Sequence, residues 1–191
     1  TPPVPISVVA DCTNETLQLT FSENIVTSTV QATDFSITTP SGGSVVVASV
    51  SPDQPTAFAQ IGFDLVLPTP LLETGMYTLV VTLVSDNVED PCGNIVVDTT
   101  LQFNVVEPLN FSVDVNTACN GAGGGLVAAH RGGAEPITYT LAGTVLPTGT
   151  AEELTPGTYF LNVVDSIGCQ VFQQVIIPDH LLQVQLPQDQ D

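Results

Sequence analysis

The sequence predicts an all-β chain made of two tandem β-sandwich modules, and three observations carry that expectation. First, Leu72-x-x-Gly75-x-Tyr77-x-Leu79-x-Val81 recurs 82 positions later as Leu154-x-x-Gly157-x-Tyr159-x-Leu161-x-Val163, and each copy is followed by an Asp (Asp86, Asp165) and a Cys (Cys92, Cys169). Glycine supplies a turn, and the alternation after it has the period of two that buries one face of a strand and wets the other. Second, the periodic segments are rich in Val, Ile, Thr and aromatic residues, with no apolar stripe at helical spacing over three turns. Third, Pro and Gly number 15 each and fall between those segments, where turns belong.

In the first module the alternating sets are Ile6/Val8/Ala10, Leu17/Leu19/Phe21, Phe35/Ile37, Val46/Ala48/Val50, Ile61/Phe63/Leu65/Leu67, Tyr77/Leu79/Val81/Leu83 and Leu101/Phe103/Val105. Pro40-Ser-Gly-Gly43, Ser51-Pro-Asp-Gln-Pro55, Pro68-Thr-Pro70 and Asp90-Pro-Cys-Gly-Asn94 separate them. Seven short strands with turns every 8–14 residues are the expectation of an immunoglobulin-like sandwich. Ser28–Thr33 has room for one helical turn. The second module begins after Glu107-Pro108 with Leu109/Phe111/Val113/Val115, Leu126/Ala128, Ile137/Tyr139/Leu141, Tyr159/Leu161/Val163 and Val171/Gln173/Val175/Ile177, and reads as a smaller sandwich or half-sandwich. The expected division is 1–106, 107–178 and a terminal segment 179–191, within the usual range of domain sizes for 191 residues.

Charge excludes whole classes of function. Twenty acidic residues face one basic residue, Arg131, for a formal charge of −19. A nucleic-acid surface needs several Lys or Arg to displace counterions, and an anionic leaflet needs a polybasic patch. No transmembrane run or lipidation motif occurs, and the opening Thr1-Pro-Pro-Val-Pro5 reads as a stiff linker, so the chain is expected to be a mature or excised piece of an exported protein.

With no lysine, cross-links are left to disulfides. The four Cys allow three pairings, and their placement two per module favours Cys12–Cys92 and Cys119–Cys169. Each bridge would contribute up to about 4 kcal/mol in the chain-entropy model. The absence of Cys-x-x-Cys and of His at ligand spacing argues against zinc, and structural disulfides imply an oxidising, extracellular setting.

Candidates for chemistry are few. His130-Arg131 with Glu135 offers an acid–base pair, although a Gly-rich turn carrying exposed charges is the favoured account. Glu152-Glu153 and the Asp86/Glu89/Asp90 group are paired carboxylates of the type glycosidases use, in a chain where acidic loops are ordinary. Asp86, Asn87, Glu89 and Asp90 supply alternating oxygen ligands suited to calcium, without the twelve-residue EF-hand pattern. Gly121-Ala-Gly-Gly-Gly125 lacks the Lys and helix of a phosphate loop, and no Gly-x-Ser-x-Gly elbow is present. The chain is therefore expected not to be an enzyme. At the C-terminus, Ile177-Pro-Asp-His-Leu-Leu-Gln-Val-Gln-Leu186 echoes the design that opens the second module, so Leu182, Val184 and Leu186 read as an assembly strand that pairs with a further module or another copy.

Residues 109–177 resemble the repeat of SprB-type gliding-motility adhesins. The resemblance rests on Cys119-Asn-Gly, Gly132-Gly133, Pro136-Ile-Thr-Tyr139, Leu154-Thr-Pro-Gly157-Thr-Tyr159 and Asp165-Ser-Ile-Gly168-Cys169, in that order. Thr140-Leu141 stands where the family has an aromatic after Pro-x-x-Tyr. The first module is similar to bacterial Ig-like domains of the same secreted proteins through Leu19-Thr-Phe-Ser-Glu-Asn24, Asp34-Phe-Ser36 and Cys92-Gly-Asn94. The resemblance implies a type IX-secreted cell-surface protein without catalytic residues, whose modules form filaments or arrays. Its expected partners are neighbouring modules or copies of itself. A structural spacer is favoured over a module that grips glycan or another surface, because the chain has no Trp and most of its Phe and Tyr sit at inward strand positions.

Overall fold

A computed structural model describes residues 1–82, 88–119 and 123–180, and the chain divides into two compact units, Thr1–Pro108 and Leu109–Asp191. Both are all-β, antiparallel, immunoglobulin-like sandwiches.

The first unit carries β1 (Pro5–Ala10), β2 (Thr16–Val26), β3 (Phe35–Thr38), β4 (Ser44–Val46), β5 (Ser49–Pro52), β6 (Ala59–Val66), β7 (Gly75–Val81) and β8 (Thr99–Val105). Two four-stranded sheets, ordered β1-β2-β6-β5 and β4-β3-β7-β8, enclose one core. Phe21 and Phe63 meet edge to face at 5.7 Å, while Tyr77 lies over Phe103 at 5.6 Å between paired strands β7 and β8. Such aromatic pairs add about 0.5–1.5 kcal/mol to what their buried area contributes. The helical turn expected at Ser28–Thr33 is two 3-10 turns, Thr27–Thr29 and Ala32–Asp34.

The expected strand Val46/Ala48/Val50 is corrected. The chain crosses between sheets there, leaving β4 in one and β5 in the other, so Val46 is exposed and Val47 is buried. Ile6 and Ile61 also face solvent. Each lies beside a register shift that reverses the alternation, between Pro5 and Ser7 in the β1–β2 pair and between Thr20 and Ile25 in the β2–β6 pair.

Of the two expectations for the second unit, a smaller sandwich or a half-sandwich, the structure shows the sandwich. Its strands are β9 (Asn110–Asn116), β10 (Ala118–Cys119), β11 (Gly124–Arg131), β12 (Thr138–Leu141), β13 (Thr144–Leu146), β14 (Thr150–Leu154), β15 (Gly157–Val164), β16 (Gln170–Ile177) and β17 (Asp179–His180). Sheets β14-β11-β9 and β13-β12-β15-β16 close over Leu126, Ala128, Leu141, Leu161, Val163 and Val175. Strands β13 and β14 have three and five residues, too few for alternation alone to reveal them. β17 pairs in parallel with β10, so the chain after Ile177 first returns to its own unit. Residues 181–191, with the expected assembly residues Leu182, Val184 and Leu186, lie outside the described residues.

Asn14 ties the first unit together at one end. It is buried with φ +58°, and its amide donates to the Leu71 carbonyl (3.2 Å) and the Val106 carbonyl (2.8 Å), while its own carbonyl accepts from the Leu71 N–H (3.0 Å). Asn tolerates the left-handed region better than other non-glycine residues. Asn14→Ala should lower the unfolding free energy by about 2–4 kcal/mol in urea titrations, through lost partners for buried carbonyls plus backbone strain. Asn14→Gly, which keeps the backbone at ease, should lose about half as much.

Candidate functional site

The internal repeat is a corner-and-turn device used in both units. Tyr159 donates its hydroxyl proton to the carbonyl of Thr155, four residues upstream, at 2.9 Å. Tyr77 is tied to Glu73, also four residues upstream, with the direction reversed: it is fully buried and its phenol oxygen accepts a hydrogen bond from the Glu73 backbone. Burial raises the Tyr77 pKa above its ordinary value, and the Glu73 charge raises it further against the opposing effect of that hydrogen bond. Both are tyrosine corners, which pin the entry to a central strand of a Greek-key sandwich.

After that strand comes an aspartate-stapled turn. In the second unit Asp165 Oδ1 accepts the N–H groups of Ile167 (3.1 Å) and Cys169 (2.8 Å), and Oδ2 accepts from Ala134 N–H (3.0 Å). In the first unit Asp90 Oδ1 accepts from Cys92 and Asn94 N–H (2.8 Å each), and Oδ2 accepts from the Asn94 amide (2.7 Å). Each turn is closed by a backbone pair, Asp165 N–H to Cys169 O (2.9 Å) and Asp90 N–H to Asn94 O (3.0 Å). Each has a left-handed glycine at its fourth position, Gly168 (φ +93°) and Gly93 (φ +81°), where a Cβ would be strained. The structural counterpart of Asp165 is therefore Asp90, not the Asp86 that the sequence repeat suggested. A third copy, one residue longer, joins β1 to β2: Asp11 Oδ1 accepts from Glu15 (3.0 Å) and Thr16 (3.2 Å) N–H, with Asn14 in the left-handed place.

This arrangement bears on the expected cysteine pairs. Cys12 and Cys169 are each disulfide-bonded, whereas Cys92 carries a free, exposed thiol. The expected Cys12–Cys92 bridge is absent because the two residues lie at opposite ends of the first sandwich. Cys12 precedes the start of β2. The Cys92 turn is held near its far end, where Val26 N–H donates to Glu89 O (2.8 Å). Ten residue steps along β2 span about 30 Å, against the 7 Å Cα limit of a disulfide. The side chain of Cys119 lies outside the described residues.

Of the expected calcium ligands, Asp86 and Asn87 lie outside the described residues. Asp90 is committed to its own turn, and Glu89 pairs its backbone with Ile95 in an isolated bridge. Among the described residues no group of three or more His, Cys, Asp or Glu side chains is placed to hold a metal ion. Glu152 and Glu153 lie on β14, with Glu153 at φ +57°. Residues 121 and 122 of the Gly-rich segment fall outside the described residues.

The structure does bring His130 and Glu135 together, with Nε2 and Oε1 3.0 Å apart. It adds a residue the sequence did not single out: the buried Tyr139 hydroxyl lies 2.7 Å from His130 Nδ1 and accepts from the His130 N–H at 3.2 Å. Tyr139 stands on β12 and His130 on β11, so this link joins the two sheets across the edge of the core. Beside it, Asn110, Ser112 and Arg131 border an open depression of about 290 Å³.

The comparisons with known proteins come from fold alone. No protein-family model matches the chain, and no curated protein matches it. Among solved structures, the chain is similar to the N-terminal part of the bacterial S-layer protein SbsC, with 15% identity, TM-score 0.47, and coverage of 94% of this chain and 44% of the other. It is also similar to the C-terminal 282-residue fragment of intimin in complex with the intimin-binding domain of its receptor Tir (13% identity, TM-score 0.48, 91% and 64%). A third is DIP-gamma IG1+IG2 (12% identity, TM-score 0.38, 95% and 99%). The chain spans less than half the length of the S-layer fragment.

Three outcomes follow from this geometry. Alkylation of the native, unreduced protein should label Cys92, and Cys92→Ser should leave the melting temperature within about 1 °C, since exposed substitutions away from special features change stability by under about 0.5 kcal/mol. Asp90 hydrogen bonds, the Asn94 amide foremost, hold its pKa below the ordinary carboxylate value of 3.8. Its contribution to stability is therefore present above that value and lost as pH falls through the lower, folded-state pKa; Asp90→Asn should flatten the acid limb of a stability–pH curve. Asp64 behaves oppositely. Burial, then the charges of Asp53 and Asp11, raise its pKa above 3.8, so ionising it destabilises the fold as pH rises through that window. Asp64→Asn should raise the melting temperature at pH 7, with the gain vanishing below about pH 4.

Proposed function

We propose that the chain is a non-catalytic extracellular module pair that serves as a spacer or building block of a cell-surface filament or array. The observation that carries this reading is the duplication itself: two self-contained cores, each closed by a tyrosine corner and an aspartate-stapled turn. Serial repetition of closed modules suits length and display, and the hydrogen bonds of Asp90, Asp165 and Tyr139 are spent on architecture. Disulfide-bonded Cys12 and Cys169 support an oxidising, extracellular setting. The resemblance of residues 109–177 to the SprB-type repeat supports the finer reading, a surface adhesin of gliding bacteria exported by the type IX system. The surface-layer and intimin-like neighbours are consistent with protein partners at a cell surface.

The alternating segment 181–186 is the element we assign to contact with a neighbouring module or copy. Because β17 belongs to the second unit's own sheet, the informative truncation ends at His180 rather than before Asp179. Electron microscopy and sedimentation of the purified chain, with calcium and with chelator, should reveal ordered fibres or oligomers that the 1–180 chain does not form, at unchanged melting temperature. If 1–180 assembles as well as the full chain, the segment has no such role. If neither assembles, the building-block reading fails and a spacer remains.

A further inference from the structure

We propose that the outer face of the β13-β12-β15-β16 sheet binds a neutral carbohydrate chain. Alternation turns Leu141, Leu161, Val163 and Val175 into the core and leaves their neighbours outward. Among those neighbours Val145, Phe160, Phe172 and Ile176 are each 60–64% exposed. Phe160 stands opposite Gln174, and Phe172 opposite Asn162, so Phe160 is the diagonal neighbour of both Phe172 and Ile176, about 7–8 Å from each. Thr140 pairs with both Asn162 and Val145 and completes the row across the sheet. Every remaining outward position on these four strands is Thr, Gln or Val.

Not one of these positions is charged, in a chain with 20 acidic residues. The other sheet of the same unit carries Asp114 and Arg131 on its outer face, and the first unit carries Asp64 on the equivalent sheet. The β4-β3-β7-β8 face of the first unit is likewise uncharged, but it presents Met76 and Val46 and no ring. Two exposed aromatic rings flanked by amides and hydroxyls suit a ligand with apolar C–H faces and hydroxyl edges. A face without charge suits a neutral one.

A second copy of the chain is the competing occupant, and two magnitudes weigh against it. Strands of 4, 3, 8 and 8 residues project to about 350–400 Å², roughly half of the ~800 Å² per partner that a stable protein interface buries. Each copy also brings a formal charge of −19, which opposes approach. A short stretch of polysaccharide needs far less area and brings no charge. Such a face would hold a glycan whether or not the modules also build a filament.

The test is depletion of the full chain from solution by cellulose, chitin and curdlan, with alginate as a polyanionic comparison. Retention is expected on at least one neutral polymer, weakened at least tenfold by Phe160→Ala with Phe172→Ala. It should also weaken in Thr140→Asp, which keeps both rings, and stay unchanged in Val46→Ala with Met76→Ala on the other module. The substituted side chains are exposed, apart from the half-buried Thr140, and matching melting curves would establish that the variants fold. No retention on any neutral polymer, retention indifferent to the ring substitutions, or equal retention on alginate would overturn the proposal. So would a dimer in sedimentation velocity that the Phe160 and Phe172 substitutions dissolve, because the face would then belong to a second copy.

Discussion

A chain with 20 carboxylates and one basic side chain cannot neutralise its buried acids with cations, and that constraint shapes both modules. A buried carboxylate is tolerable only where hydrogen bonds replace the water it gave up. Here backbone N–H groups do so: three for Asp165, two for Asp90 together with the Asn94 amide, and the Gln31 N–H at 2.7 Å for the fully buried Asp34. Loops supply unpaired N–H groups and strands do not. Asp34, Asp90 and Asp165 therefore sit outside the strands, where they fix turns, while Asp64 in the middle of β6 has a raised pKa instead.

Those turns determine what can be placed beside them. The Asp90 turn holds Cys92 at the outer surface, and the Asp165 turn holds Cys169 inward, nearly buried. Cys92 is the third residue of its turn and Cys169 the fifth of the matching one, and they have opposite fates, one free and one bonded. The tyrosine corners act at the other end of the same strand. With both ends of β15 held, that strand can display any residue on its outer side without loss of register.

That freedom is used differently on the two faces of each sandwich. Charge is concentrated at turns and on one sheet, and the sheet that contains the repeat strand has none on its outside. In the first unit this face is hydroxyl- and amide-rich. In the second it is aromatic. Phe160 and Phe172 sit at alternate positions of well-formed strands, and their exposure is invisible to a count of aromatics because inward and outward places have the same period.

The all-β class, the tandem organisation and the strands with clean alternation were legible from residue type alone, since β7, β8, β15 and β16 each pack one apolar face and local pattern suffices for that. The recurrence of Gly75 with Tyr77 as Gly157 with Tyr159 was legible too, whereas the hydrogen bonds that make each tyrosine a corner were not. Tertiary structure decided the rest. It separated β4 from β5, exposed Val46, completed the second sandwich with short strands, and replaced Asp86 by Asp90 as the counterpart of Asp165. It also put Cys12 and Cys92 at opposite ends of an eleven-residue strand and joined His130 to Tyr139 across two sheets. Each of these depends on which segments become neighbours in space. A period of two in the sequence states which side chains share a face; it does not state which sheet the face belongs to or what lies opposite it.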